Sequence, residues 1–208
     1  MYYSMDCTTG DRFMSTAASP LPPLTVSPEL TPNPNCTRYA VNRTLLTGSG
    51  RDFPHKTAAL TSPLARELFL LPEVTGVYIG ADFVTVTTAT SNNWALPPLV
   101  RQCIEFHVAS GQPAVLDVAG NETAPAADAP IKMSETAEKI IRVLETEIRP
   151  AVAMDGGDIV FNSYENGVLK LHLRGSCHSC PSALGTLKNG IETRLRKDFP
   201  ELVSVEAV

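Results

Sequence analysis

Cys177 and Cys180 stand two residues apart in Gly175-Ser176-Cys177-His178-Ser179-Cys180-Pro181. Thiols at that spacing can hold one soft metal between them or oxidise to a disulfide. The segment lies between a strand and a helix start, whose orphan N–H groups favour thiolate and are expected to lower the thiol pKa. Gly175 permits a tight exit from the strand, and Pro181 suits the first helical turn, where its missing N–H costs nothing. The plain alternative is that both cysteines are small buried hydrophobes. Three further cysteines stand alone. Cys36 and Cys103 are expected in or beside a core, and Cys7 in a flexible lead-in.

Three chemistries suit the pair. A structural zinc needs four ligands, and the chain offers two thiolates with His178 between them and no second C-x-x-C or H-x-x-x-H. A thiol–disulfide oxidoreductase also places C-x-x-C at a helix start, but after a βαβ unit. Here a hairpin precedes the motif, and Trp94 is distant in sequence. A four-iron cluster needs four thiolates, so two chains would each supply Cys177 and Cys180 across a twofold axis. Spacing alone does not decide between these.

Other features carry less. Met154-Asp155-Gly156-Gly157-Asp158 reads as a tight helix-to-strand turn, since neither G-x-G-x-x-G nor a P-loop is present. His178 reads as an exposed residue. Lys188, Arg194, Arg196 and Lys197 read as a solvated helix face and partners of its C-terminal dipole, with docking of an acidic partner as the alternative. No Ser/His/Asp set, paired carboxylates or nucleotide fingerprint appears, so an enzyme is not expected.

The elements that position the thiols follow from periodicity and punctuation. Ala and Pro crowd residues 119–132, which reads as a linker between a piece at 25–118 and a piece at 133–208, after a lead-in at 1–24. In the first piece Ser62 caps a helix opened by Pro63, strands run Val74 to Ile79 and Phe83 to Thr88, and a helix runs from Leu99 to Ser110. In the second, a helix capped by Ser134 buries Ile141, Leu144 and Ile148 and stops at Pro150. Strands Ile159 to Tyr164 and Val168 to Arg174 meet at Asn166-Gly167. A helix from Pro181 to Lys197 and a strand from Leu202 to Val205 complete the order α-β-β-α-β. The expected class is α+β in two small domains, whose thin cores invite outside support.

Composition bounds the partners. The 208 residues are 43% hydrophobic and 19% charged, with a net charge of -5, which gives no basic stripe for nucleic acid. No apolar run reaches the roughly 18–20 residues that span a bilayer. An odd number of cysteines without an apolar secretory segment points to reduced thiols and a cytoplasmic protein. A mitochondrial matrix location is the alternative, although the first residues are not an Arg-rich, acid-poor transit peptide.

The second piece resembles the NifU-like C-terminal domain of the Nfu iron–sulfur cluster carriers. The resemblance rests on Ile148-Arg149-Pro150, Met154-Asp155-Gly156-Gly157-Asp158, Leu173 through Ser182, and Thr186 through Glu192. The first piece is similar to the Nfu N-terminal domain at Thr31-Pro32-Asn33-Pro34-Asn35, Asp52-Phe53-Pro54, Ser62 through Phe69, Asp82 through Thr87 and Ser110-Gly111-Gln112-Pro113. The resemblance implies one [4Fe–4S] cluster per homodimer, held by Cys177 and Cys180 of each chain. It further implies that the cluster is received from an upstream assembly scaffold and delivered to apo iron–sulfur proteins. The first domain would recognise partners and supply no ligand.

Overall fold

Alternating apolar residues in the first half build a five-stranded antiparallel sheet. Its strands are β1 (Val26–Leu30), β2 (Cys36–Val41), β3 (Arg51–Phe53), β4 (Val74–Ile79) and β5 (Phe83–Thr88), in the order β1-β2-β5-β4-β3. The computed structural model describes residues 22–90, 95–116, 135–177 and 181–208. The expected linker, most of the lead-in, Cys7, Trp94, the Ser134 cap, His178 and Cys180 lie outside the described residues.

Helices α1 (Pro63–Leu68) and α2 (Leu96–Ala109) pack their apolar faces on this sheet. The Ser62 cap forms as expected: the Ala65 N–H donates to Ser62 Oγ at 3.0 Å, and the Ser62 hydroxyl donates to the Ala114 carbonyl at 2.6 Å. α2 opens three residues before the expected Leu99. Pro97 and Pro98 fall in its first turn, where a missing N–H breaks no helical bond. Tyr39, Leu64, Leu68, Ile79, Val84, Val100 and Ile104 fill the core.

The second half begins with α3 (Glu135–Val143), a π-helical turn (Leu144–Ile148) and α4 (Arg149–Met154). Pro150 was expected to stop this helix and does not. It sits in the first turn of α4, just past the wider turn, where the usual i→i−4 clash of a proline is relieved. The buried stripe is Ala137, Ile140, Leu144 and Ile148, with Ile140 in place of the expected Ile141.

β6 (Gly157–Glu165), β7 (Val168–Gly175) and β8 (Ser204–Ala207) form a sheet in that order. Asn166 at φ 52° and Gly167 at φ 79° make the left-handed turn that the Asn-Gly pair signalled. α5 (Pro181–Asp198) crosses from β7 to β8, which pair in parallel. β8 starts two residues later than expected because Leu202 is still in a turn, its N–H bonded to the Phe199 carbonyl at 3.0 Å. The α+β class and the order α-β-β-α-β both hold. No helix among the described residues is long and apolar enough to cross a membrane.

Candidate functional site

Cys177 stands two residues beyond the end of β7, and two glycines make its position possible. Gly175 takes φ 65° and turns the chain out of the strand. Across the sheet, a Cβ on Gly157 would lie 2.3 Å from Cys177 Sγ and 3.2 Å from the Arg174 carbonyl. Only glycine leaves that space, so Met154 to Asp158 is the expected tight turn and also the seat of the thiol. The Ser176 hydroxyl donates to the Asp155 carbonyl at 2.7 Å and ties this exit to the same turn.

The thiol is withdrawn from water. Cys177 is 6% exposed and packs in the second core with Ile148, Val152 and Ile191. Burial pushes its pKa up to about 11, opposed by the contact with the Ser176 hydroxyl and reinforced by repulsion from Asp155, Cys36 and Asp158. This corrects the expectation of a lowered pKa. Desolvation of a thiolate in an apolar site outweighs any helix-end attraction. The plain alternative of a small buried hydrophobe describes how Cys177 packs in the metal-free chain.

A groove of about 560 Å³ opens beside the thiol, between the π-helical turn with α4 on one side and α5 on the other. Ile148, Val152, Leu187 and Ile191 give it an apolar lining, and Pro32 and Asn33 of the first unit form part of its wall. Among the described residues no group of three or more His, Cys, Asp or Glu could hold a metal ion. Of the two thiols singled out by spacing, Cys177 is the one that lies among the described residues.

Strand register places a polar row where sequence reading found none. Arg38 pairs with Thr85, Thr85 with Tyr78, and Tyr78 with Asp52, across β2, β5, β4 and β3. Each reaches the second unit. Arg38 Nε donates to the Ala153 carbonyl at 3.0 Å, and the Thr85 hydroxyl to the Gly156 carbonyl at 2.7 Å. The Tyr78 hydroxyl donates to Asp158 Oδ2 at 2.9 Å, and the Gly175 N–H donates to Asp52 Oδ1 at 3.4 Å. Asn33 adds a bond from Nδ2 to the Ser176 carbonyl at 3.2 Å.

Asp158 anchors the Tyr78 position of this row. It is buried and accepts from Arg149 Nε at 2.6 Å and Nη2 at 3.1 Å. That pairing raises the Arg149 pKa, while burial and then the Asp158 charge hold the Tyr78 hydroxyl far above its ordinary range. Tyr78 therefore remains a donor at every physiological pH. The available signal was alternation: Arg38, Tyr78 and Thr85 fall opposite the apolar positions of their strands.

The remaining candidates are structural. Cys36 is buried with Sγ 3.3 Å from Thr87 Oγ1, and Cys103 is half-buried with its thiol pushed up to about 11 by burial and then by Glu67. Arg194 bridges Glu147 and Asp198, and Arg196 donates to the Leu202 and Val203 carbonyls, so both tie α5 to its neighbours. Lys188 and Lys197 are exposed, as the solvated-face reading expects.

Comparison with known proteins follows the same division of the chain. A model described as "Scaffold protein Nfu/NifU N terminal" matches residues 26–111, and one described as "NifU-like domain" matches residues 140–206. A Drosophila simulans protein named "NFU1 iron-sulfur cluster scaffold homolog, mitochondrial" is 44% identical over 182 residues, covering 86% of this chain and 62% of the relative. The Drosophila persimilis protein of the same name is 45% identical over 182 residues, covering 86% and 63%. The chain thus spans less than two thirds of the length of these relatives. Their names place them in mitochondria, which does not support the cytoplasmic expectation. A solution structure of a NifU-like protein from Saccharomyces cerevisiae overlays with a TM-score of 0.41 and 18% identity, over 51% of this chain and 98% of that one.

Proposed function

Because the chain belongs to the Nfu/NifU family and carries both of its domain types in series, we propose that it is an iron–sulfur cluster carrier rather than a catalyst. Two copies share one [4Fe–4S] cluster through Cys177 and Cys180 of each, receive it from an upstream scaffold and deliver it to apo iron–sulfur proteins. In this reading residues 25–118 serve partner recognition and residues 133–208 hold the cluster. The names of the relatives favour the mitochondrion over the cytoplasm.

The observation that carries the reading is the placement of Cys177. Its thiol lies at a strand-to-helix junction, inside the segment matched by the NifU-like model, beside an apolar groove. A thiol whose pKa is pushed up to about 11 is a poor attacking group at neutral pH, which weighs against the oxidoreductase. Metal coordination releases the proton, so a high pKa in the metal-free chain is compatible with a carrier.

Anaerobic reconstitution tests the proposal against the zinc-stapled dimer. About four irons and four sulfides per pair of chains are expected, as a four-thiolate site requires. One zinc per pair without labile sulfide would overturn it. Cys177→Ser or Cys180→Ser halves the ligand set and is expected to abolish cluster content.

A further inference from the structure

The interface between the two units is built unlike the interior of either. Within each unit the core is apolar, with Cys177 among the residues of the second, and the two cores share no residue. Between the units the directional contacts come from the polar row of Arg38, Thr85, Tyr78 and Asp52, joined by Asn33. Asn33, Thr85, Asp158 and Ser176 account for most of the buried polar residues described. An interface sealed by hydrogen bonds can part at modest cost, because its donors and acceptors exchange one another for water.

What this interface covers is the seat of the thiol. A Cβ on Gly156 would meet Thr85 Oγ1 at 2.9 Å and Thr31 Cγ2 at 3.2 Å, and one on Gly175 would meet the Tyr78 ring at 3.2 Å. The first sheet therefore bears directly on both chain segments that hold Cys177. Asn33 closes over the neighbouring Ser176 and also lines the groove that Cys177 borders. In this closed arrangement the thiol has almost no exposed surface.

We propose that the first sheet is a detachable cover for Cys177, held shut by the polar row, and that the two units must part before the thiol can be shared with a second copy. Only that last step rests on the carrier reading. The cover itself is a property of the metal-free chain.

The test uses the full-length metal-free protein and iodoacetamide, with alkylation at each cysteine followed by peptide mass spectrometry. Tyr78→Phe combined with Thr85→Val removes two bonds of the row and little volume. The rate at Cys177 is expected to rise about tenfold, because reaction requires the open form and its population grows as the bonds are lost. Cys103, inside the first unit, is expected to keep its rate. An unchanged Cys177 rate in the folded double variant would overturn the cover.

If both cysteines accelerate together, the variant has unfolded. Asn33→Asp then takes its place, since it removes the donor to Ser176 and keeps the side-chain oxygen that accepts from Asn35. A several-fold rise at Cys177 alone supports the cover, and no rise overturns it. A chain that shows the selective rise yet takes up no iron would lose the carrier reading and keep the cover.

Discussion

The two units solve the same problem with different material. The first closes an apolar core between five strands and two helices, with His107 and Ser62 buried at its edge. The second closes over three strands and counts the Cys177 thiol among its buried residues. In the proposed carrier Cys177 would have to serve both as a core filler and as a ligand shared with a second copy. The difference teaches that, under the proposed cover, the unit that holds the thiol depends on movement and the other unit supplies the part that moves.

Core truncation should separate the two units most strongly. Leu68 and Leu169 are fully buried, one in each core. Replacing either with Ala is expected to cost about 2–5 kcal/mol in chemical denaturation. Cluster content per folded dimer should fall with Leu169→Ala and hold with Leu68→Ala. Equal loss of cluster in both would break the comparison.

Glycine substitution is the next largest effect. Gly157→Ala drives a Cβ into Cys177 Sγ and is expected to cost about 1–3 kcal/mol while lowering cluster content. In the first unit, Gly48 has φ 89° and open space around its Cβ position. Gly48→Ala should therefore cost only left-handed backbone strain, about 1 kcal/mol, and leave cluster content alone.

A smaller effect follows from pH. Burial lifts the Cys177 thiol from its ordinary value of 9.0 to about 11, so the unfolded chain ionises first. The stability this gives is complete below pH 9 and is lost as pH rises to about 11. Cys103 adds to the loss in the same window. Denaturation midpoints of the metal-free protein should fall across that range, and Cys177→Ser should flatten the slope. The smallest change is expected from Glu135→Gln on α3, whose pairing with Lys139 is exposed, with no measurable shift in midpoint.

Much of the fold was legible because its signals are local. Asn166-Gly167 requires positive φ wherever it stands, and Ser62 followed by Pro63 caps a helix by its own side chain. The misses share a cause. Pro150 reads as a stop and the second helix as starting at Leu99, after Pro97 and Pro98, because tolerance for a proline depends on which helical turn it enters. The site was half legible. Spacing and family motifs singled out Cys177 as a candidate, and the glycines at the entry to β6 read as a turn. The buried thiol and its raised pKa were not legible, because they come from Ile148, Val152 and Ile191 packed around it and from the first sheet closing on the segments that hold it. The polar row was no more so, because its members are joined only by strand register.

The most direct measurement is a native mass spectrum of the full chain after anaerobic reconstitution. The carrier account predicts a species of two chains with one cluster of about four irons and four sulfides. A single chain carrying the whole cluster, or a pair of chains held together without sulfide, would contradict it.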